Sequence, residues 1–202
     1  MIALVLSIVL CVIIFSYDLL IIKIIEKTRN ILLDYCFLSV TFASNVFIIF
    51  FFLTTLFLWK EHKRRWIFPL WLSSFFALAI SYGLKILIKR PRPFQEDIVS
   101  VLGIVFHFLG NSFTSWNFSF PSFQAVLVFS ALPILNKEFK RFKSIWLIFA
   151  CLVAYSRVYF GVHYLSDVFA GAIIGYLIGF IAVFIEEKYS IGMKVVKRLK
   201  LS

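Results

Sequence analysis

Charge is scarce in this chain. Only 15% of its 202 residues are charged, and 62% are hydrophobic. Soluble domains carry about a quarter charged residues, so this balance excludes an ordinary soluble domain. Cysteine is also rare: Cys11, Cys36 and Cys151 lie in or beside apolar runs without paired spacing. That excludes a disulfide framework and a zinc ribbon, and the three read as small buried hydrophobes. The eight glycines form no phosphate-binding loop. No His, Cys and carboxylate residues fall at metal-ligand spacing, so neither a metal nor another cofactor is expected. Acidic residues number 10 against 21 basic ones, a net charge of +11. The basic residues sit in short clusters between apolar runs and not on one solvated face, which argues against a nucleic-acid partner. The run Ile2–Phe15 has no basic residue before it and no small-residue cleavage site after it, so no cleavable signal is expected.

What the chain has in abundance is apolar length, with 26 Phe among its residues. A membrane-crossing helix needs about 20 mostly apolar residues. Six stretches are expected to cross: Ile2 to about Ser16, Asp34–Trp59, Trp66–Ile88, Phe120–Leu135, Ser144–Tyr159 and Leu165–Ile185. Between the first two, Tyr17–Leu33 mixes charges with apolar residues and reads as an interfacial amphipathic segment. The alternative, a first span continuing to Ile25, would place Asp18 and Lys23 in lipid. Pro91 and Pro93 must stop the third helix. The expectation is a single all-α domain, residues 1–202: a six-helix bundle with an outer loop.

An even number of spans puts both termini on one side. The segments after the second and fourth spans and the C-terminal tail hold 13 of the 21 Lys and Arg residues. The positive-inside rule then makes both termini cytoplasmic and turns the Lys89–Pro93 corner outward. Gly171, Gly175 and Gly179 share one face of the last span and are expected to permit close helix contact.

Ionisable residues at membrane depth are costly and usually functional. Here they gather in two places. Lys85 and Arg92 are seven residues apart at the outer end of the third span, about two turns if the helix persisted. Ser156-Arg157, His163 and Asp167 lie between the fifth and sixth spans. His163 and Asp167 are four apart at a helix start, so the carboxylate is expected to accept the imidazole N–H and leave the other nitrogen free to attack. Separately, Lys85 could snorkel, Arg157 could cap a span and the His–Asp pair could be structural. Together, at one membrane surface, three cations and one oriented imidazole suit a phosphate whose charge grows under attack.

These residues form two patterns, K-x6-R-P at Lys85 to Pro93 and S-R-x5-H-x3-D at Ser156 to Asp167. In both, the chain resembles the type 2 phosphatidic acid phosphatase family, and the resemblance runs from about Lys85 to Asp167. It implies a membrane phosphatase of six helices with no metal requirement. It also implies that Lys85, Arg92 and Arg157 bind phosphate oxygens and that Ser122 adds a hydroxyl or backbone donor. By the same resemblance His163 becomes a phosphohistidine, Asp167 orients it, and water completes hydrolysis.

One position departs from the family. Pro121-Ser122-Phe123-Gln124 stands where the family has P-S-G-H, whose histidine protonates the leaving oxygen. A glutamine amide can donate a hydrogen bond but cannot release a proton at neutral pH. General acid catalysis commonly contributes about 10²–10⁴ in rate, so the chain is expected to bind phosphate and to turn over poorly. A pyrophosphate, whose leaving phosphate needs no proton, fits glutamine better than a simple monoester does; a glycosyl phosphate is intermediate.

The expected partners are the bilayer and a phosphorylated lipid: lipid A 1-phosphate, undecaprenyl pyrophosphate or phosphatidylglycerol phosphate. The expected place is a bacterial inner membrane with the site at the periplasmic face. Two other readings are lipid-to-lipid phosphotransfer and a non-catalytic lipid-phosphate binder. A transporter would need polar residues lining mid-membrane positions, and the spans offer scattered Ser, Thr and Asn45. His107 is a weaker substitute acid, and His62 a solvated loop residue. Asn117-Phe118-Ser119 matches a glycosylation sequon by chance. The aromatic loop from Phe94 to Phe120 either admits acyl chains or anchors at the interface.

Overall fold

The computed structural model describes residues 2–95 and 118–198. The described residues are helical with turns and contain no strand. The helices are α1 (Ile2–Lys27), α2 (Ile31–Ala43), α3 (Val46–Leu58), α4 (Ile67–Ile88), α5 (Phe123–Glu138), α6 (Lys143–Tyr159), α7 (Leu165–Tyr189) and α8 (Ile191–Arg198). Among the described residues, three stretches are long and apolar enough to cross a membrane alone: Glu61–Ile88, Lys140–Tyr159 and Leu165–Tyr189. The bent pair α2 and α3 passes the same test only when the two are taken together, as a broken span or a re-entrant loop. Large apolar side chains such as Phe180, Ile181 and Phe184 face outward from α7, as a bilayer requires.

Two expectations change. Residues 2–27 form one helix, not a short span and a separate interfacial segment. Of the two charges that argue for the break, Asp18 is buried and paired with Arg90 and meets no lipid, whereas Lys23 is exposed. The expected second span is bent by 60° between α2 and α3. There the Ser44 hydroxyl turns back to the Thr41 carbonyl, and Asn45 Oδ1 accepts the Phe47 N–H at 3.0 Å, which starts a new helix. Cys36 and Cys151 lie on the outer surface of the bundle and not in its core.

The centre is α5, buried from Ala125 to Val128 and again from Ser130 to Leu135. It lies against α7 through the glycine stripe. A Cβ on Gly171 would stand 2.9 Å from the Ser122 carbonyl, on Gly175 2.2 Å from that of Val126, and on Gly179 2.0 Å from that of Ser130. Small residues at a helix interface allow this approach. The contact fixes the start of α5 beside the start of α7. At the far end, Trp66, Phe57, Leu70 and Leu132 form the main apolar cluster. Arg65 and Trp66 donate to Glu138 there, and Lys137 pairs with Glu187, so the basic segments meet at that end.

Candidate active site

The opposite end of the bundle gathers buried charged residues, among them Lys85, Arg92, Arg157, His163 and Asp167. Helix α4 ends in Lys89, whose left-handed backbone (φ 50°, ψ 35°) turns the chain into Arg90-Pro91-Arg92-Pro93. The helix therefore does not carry Arg92 onto the face of Lys85; the turn delivers it. Lys85 Nζ donates to the Phe118 carbonyl at 2.5 Å, and Arg92 Nη1 donates to the Val162 carbonyl at 3.1 Å. The Arg157 carbonyl accepts the backbone N–H groups of Val162 and His163 at 3.1 and 3.2 Å. Lys85, Arg92, Arg157 and His163 are all buried; Arg92 and Arg157 meet the short connection between α6 and α7, while Lys85 meets the segment that leads into α5.

His163 is oriented differently from the expectation. Its Nδ1 lies 2.8 Å from the Ser119 carbonyl and 3.9 Å from Asp167 Oδ2. A carbonyl only accepts, so Nδ1 carries the proton and Nε2 is left as the unprotonated nitrogen. Asp167 does not take the imidazole N–H because its oxygens are already engaged. Oδ1 receives Arg90 at 2.7 Å, while Oδ2 receives the Ser119 hydroxyl and the Tyr164 N–H. Asp167 thus steers His163 through the two residues that flank it in space and in sequence.

Charge and burial act on the imidazole in one direction. Burial foremost, then Arg92, Lys85 and Arg157, hold its pKa well below the ordinary 6.5, with the Ser119 carbonyl opposing weakly. Arg92 is itself lowered to about 10 by burial, against the pull of Asp167, and stays charged at neutral pH. A neutral imidazole has a free lone pair with which it can act as a nucleophile.

Gln124 sits at the first turn of α5. Its Oε1 accepts Arg157 Nη1 at 2.6 Å. Arg157 Nη2 also donates to Thr41 Oγ1 from α2 and to Ser156 Oγ. The arginine is thus fixed by neutral oxygens that leave its charge unneutralised. Ser122 is fully buried; its N–H donates to the Asp167 carbonyl, and its hydroxyl has no partner among the described residues. A buried hydroxyl without a partner costs free energy that an incoming acceptor would recover.

Four residues here escaped the sequence reading: Asp18, Thr41, Arg90 and Ser119. Asp18 carried a signal, an acid inside an apolar helix. Arg90 and Ser119 carried none beyond lying near the motifs, and Thr41 carried none. His107, Asn117 and the aromatic loop between residues 96 and 117 lie outside the described residues. His62 lies in the turn Glu61–Trp66, away from the site and exposed. Among the described residues no group of three His, Cys, Asp or Glu is placed to hold a metal.

Comparison with known proteins places this geometry. The undecaprenyl-diphosphatase of Sulfolobus acidocaldarius is 42% identical over 72 residues, 35% of each chain. The match thus spans about a third of that relative's length. The crystal structure of LpxE from Aquifex aeolicus superposes with a TM-score of 0.64 at 26% identity, over 82% of this chain and 94% of that one. The crystal structure of a transmembrane PAP2 type phosphatidylglycerolphosphate phosphatase from Bacillus subtilis has a TM-score of 0.71 at 23% identity, over 92% and 94%; that likeness speaks to the fold. The family model for the PAP2 superfamily matches residues 66–190, which include every expected site residue. The chain belongs to the PAP2 superfamily.

Proposed function

We propose that this chain is a metal-independent phosphatase of a membrane lipid pyrophosphate, acting at the non-cytoplasmic face of the plasma membrane. The single observation that carries the reading is the convergence of Lys85, Arg92 and Arg157 on His163, whose Nε2 is bare because Nδ1 donates to Ser119. Three cations stabilise a phosphoryl group as it gains charge under attack.

In this reading Nε2 of His163 attacks the terminal phosphorus. The N–P bond forms, the P–O bond to the lipid phosphate breaks, and its electrons leave on the phosphate oxygen. Water then attacks the phosphohistidine, gives its proton to the departing inorganic phosphate and restores the imidazole. Ser122 lends its unpartnered hydroxyl to a phosphoryl oxygen.

Gln124 supports a pyrophosphate over a monoester. Its oxygen is held by Arg157 and its amide has no proton to release, whereas a departing lipid phosphate needs none. The Sulfolobus acidocaldarius relative is named for a diphosphate of this kind. Lipid A 1-phosphate, the glycosyl phosphate of the family options, is the next candidate, and phosphatidylglycerol phosphate the least favoured.

The test is phosphate release by the detergent-purified protein, in chelator, from matched polyprenyl diphosphate, glycosyl phosphate and simple monoester lipids. The expected order is diphosphate first and monoester last. No release from any of them, or release that needs a divalent metal, would overturn the reading.

A further inference from the structure

A second set of charges lies behind the cations. Arg90 comes from the turn after α4 and is largely buried. Its Nη2 reaches Asp18 Oδ2 at 2.8 Å, and its Nη1 reaches Asp167 Oδ1 and Ser166 Oγ, both at 2.7 Å. Asp18 also receives the Ser166 N–H on Oδ1 at 3.0 Å and the Ser166 hydroxyl on Oδ2. The guanidinium carbon stands 3.9 Å from the Tyr164 ring centroid and 4.4 Å from that of Phe15. Both edges of Arg90 therefore meet carboxylates, and aromatic rings lie near its faces.

We propose that Asp18 and Arg90 are positioning residues for phosphoryl transfer, holding from α1 the carboxylate that sets the backbone around His163. The line of contact is continuous. Asp18 fixes one edge of Arg90, the other edge fixes Asp167, Asp167 fixes the Ser119 hydroxyl and the Tyr164 N–H, and the Ser119 carbonyl fixes the imidazole. Asp18 lies outside the 66–190 stretch that defines the family match, so α1 completes a site whose reacting groups all lie elsewhere. A planar fork is needed at position 90, because a lysine is a point donor and cannot join two carboxylates edge to edge.

This rests on His163 being the nucleophile, and the experiment separates the two ideas. Phosphate release is followed in single turnovers with enzyme in excess, and the share of enzyme that takes up labelled phosphate is measured alongside. Asp18→Asn and Arg90→Lys are expected to slow the step in the phosphorylatable share by about 10–100-fold, with KM within about twofold. Asp18→Glu is expected to recover part of that loss. Ser166→Ala keeps every charge and serves if the other variants fold poorly; it is expected to slow the step by about three- to tenfold.

A structural role alone would lower the phosphorylatable share and leave its rate at the wild-type value. That result in Asp18→Asn, or in Ser166→Ala where Asp18→Asn yields no folded protein, overturns the proposal. A wild-type protein that takes up no phosphate on His163 would instead defeat the functional reading beneath it.

Discussion

Arg157 Nη1 donates to Gln124 Oε1 across 2.6 Å, from α6 to the first turn of α5. Only the oxygen of the amide can face a guanidinium, so Gln124 is an acceptor here and its function is tied to the arginine. If leaving-group protonation is what the chain lacks, Gln124→His should supply it. Hydrolysis of a lipid phosphomonoester is expected to rise at least tenfold, the lower part of what general acids contribute being about 10². Hydrolysis of the matching diphosphate should change little. Steady-state assays on the two substrates decide it, and an unchanged monoester rate would remove the argument.

His163→Gln keeps a side chain of similar reach but removes the nucleophile. Phosphate release is expected to disappear, and acid-labile labelling of the protein with it. Wild-type labelling should persist in chelator. Activity surviving in His163→Gln would show that another group attacks.

The pH profile follows from the sign of the imidazole shift. Burial and three cations disfavour imidazolium, so the folded pKa lies well below 6.5. As pH falls through 6.5, the nucleophile stays neutral and activity should hold, with the acid limb appearing only below that value. Arg92→Gln removes the largest of the three repulsions, so it should move the acid limb upward while weakening phosphate binding. Profiles of kcat/KM against pH, which report the substrate-free protein, test this for the two proteins.

The glycine stripe and Gly83 give opposite outcomes for one chemical change. Gly179→Ala places a methyl 2.0 Å from the Ser130 carbonyl and should lower stability by about 1–3 kcal/mol, the usual cost of overpacking. Gly83→Ala on α4 meets nothing within 4 Å among the described residues and should be neutral or stabilising by up to about 1 kcal/mol. Thermal unfolding in detergent compares them.

Sequence was most informative where one residue type has few physical options. Lys85, Arg92, Arg157 and His163 could be singled out because ionisable groups in apolar surroundings need a partner or a purpose, and the glycine stripe because its period matches a helix face. In the first helix the same reason works in reverse: sequence alone sends Asp18 to water, while its partner Arg90 is 72 residues away, and Lys23 on the same helix is exposed. The bend between α2 and α3 rests on Ser44 and Asn45, two polar residues that a span can also accommodate as side-chain-to-carbonyl bonds. The partner of His163 was out of reach of any motif, since a main-chain carbonyl leaves no mark on residue identity. Asp167 sat at helical spacing from the imidazole, and that spacing suggested a contact which Arg90, Ser119 and Tyr164 had already taken.

The steering of His163 by a peptide oxygen makes that part of the machinery indifferent to what residue 119 is and sensitive to the route the chain takes there. An alanine at that position would keep the carbonyl and so keep the tautomer, while removing the hydroxyl through which Asp167 holds that carbonyl in place. A residue inserted between Pro93 and Pro121 close to the site would do the reverse. Shifts of the main chain there would therefore matter alongside losses of side chains, and scanning by side-chain truncation passes over them.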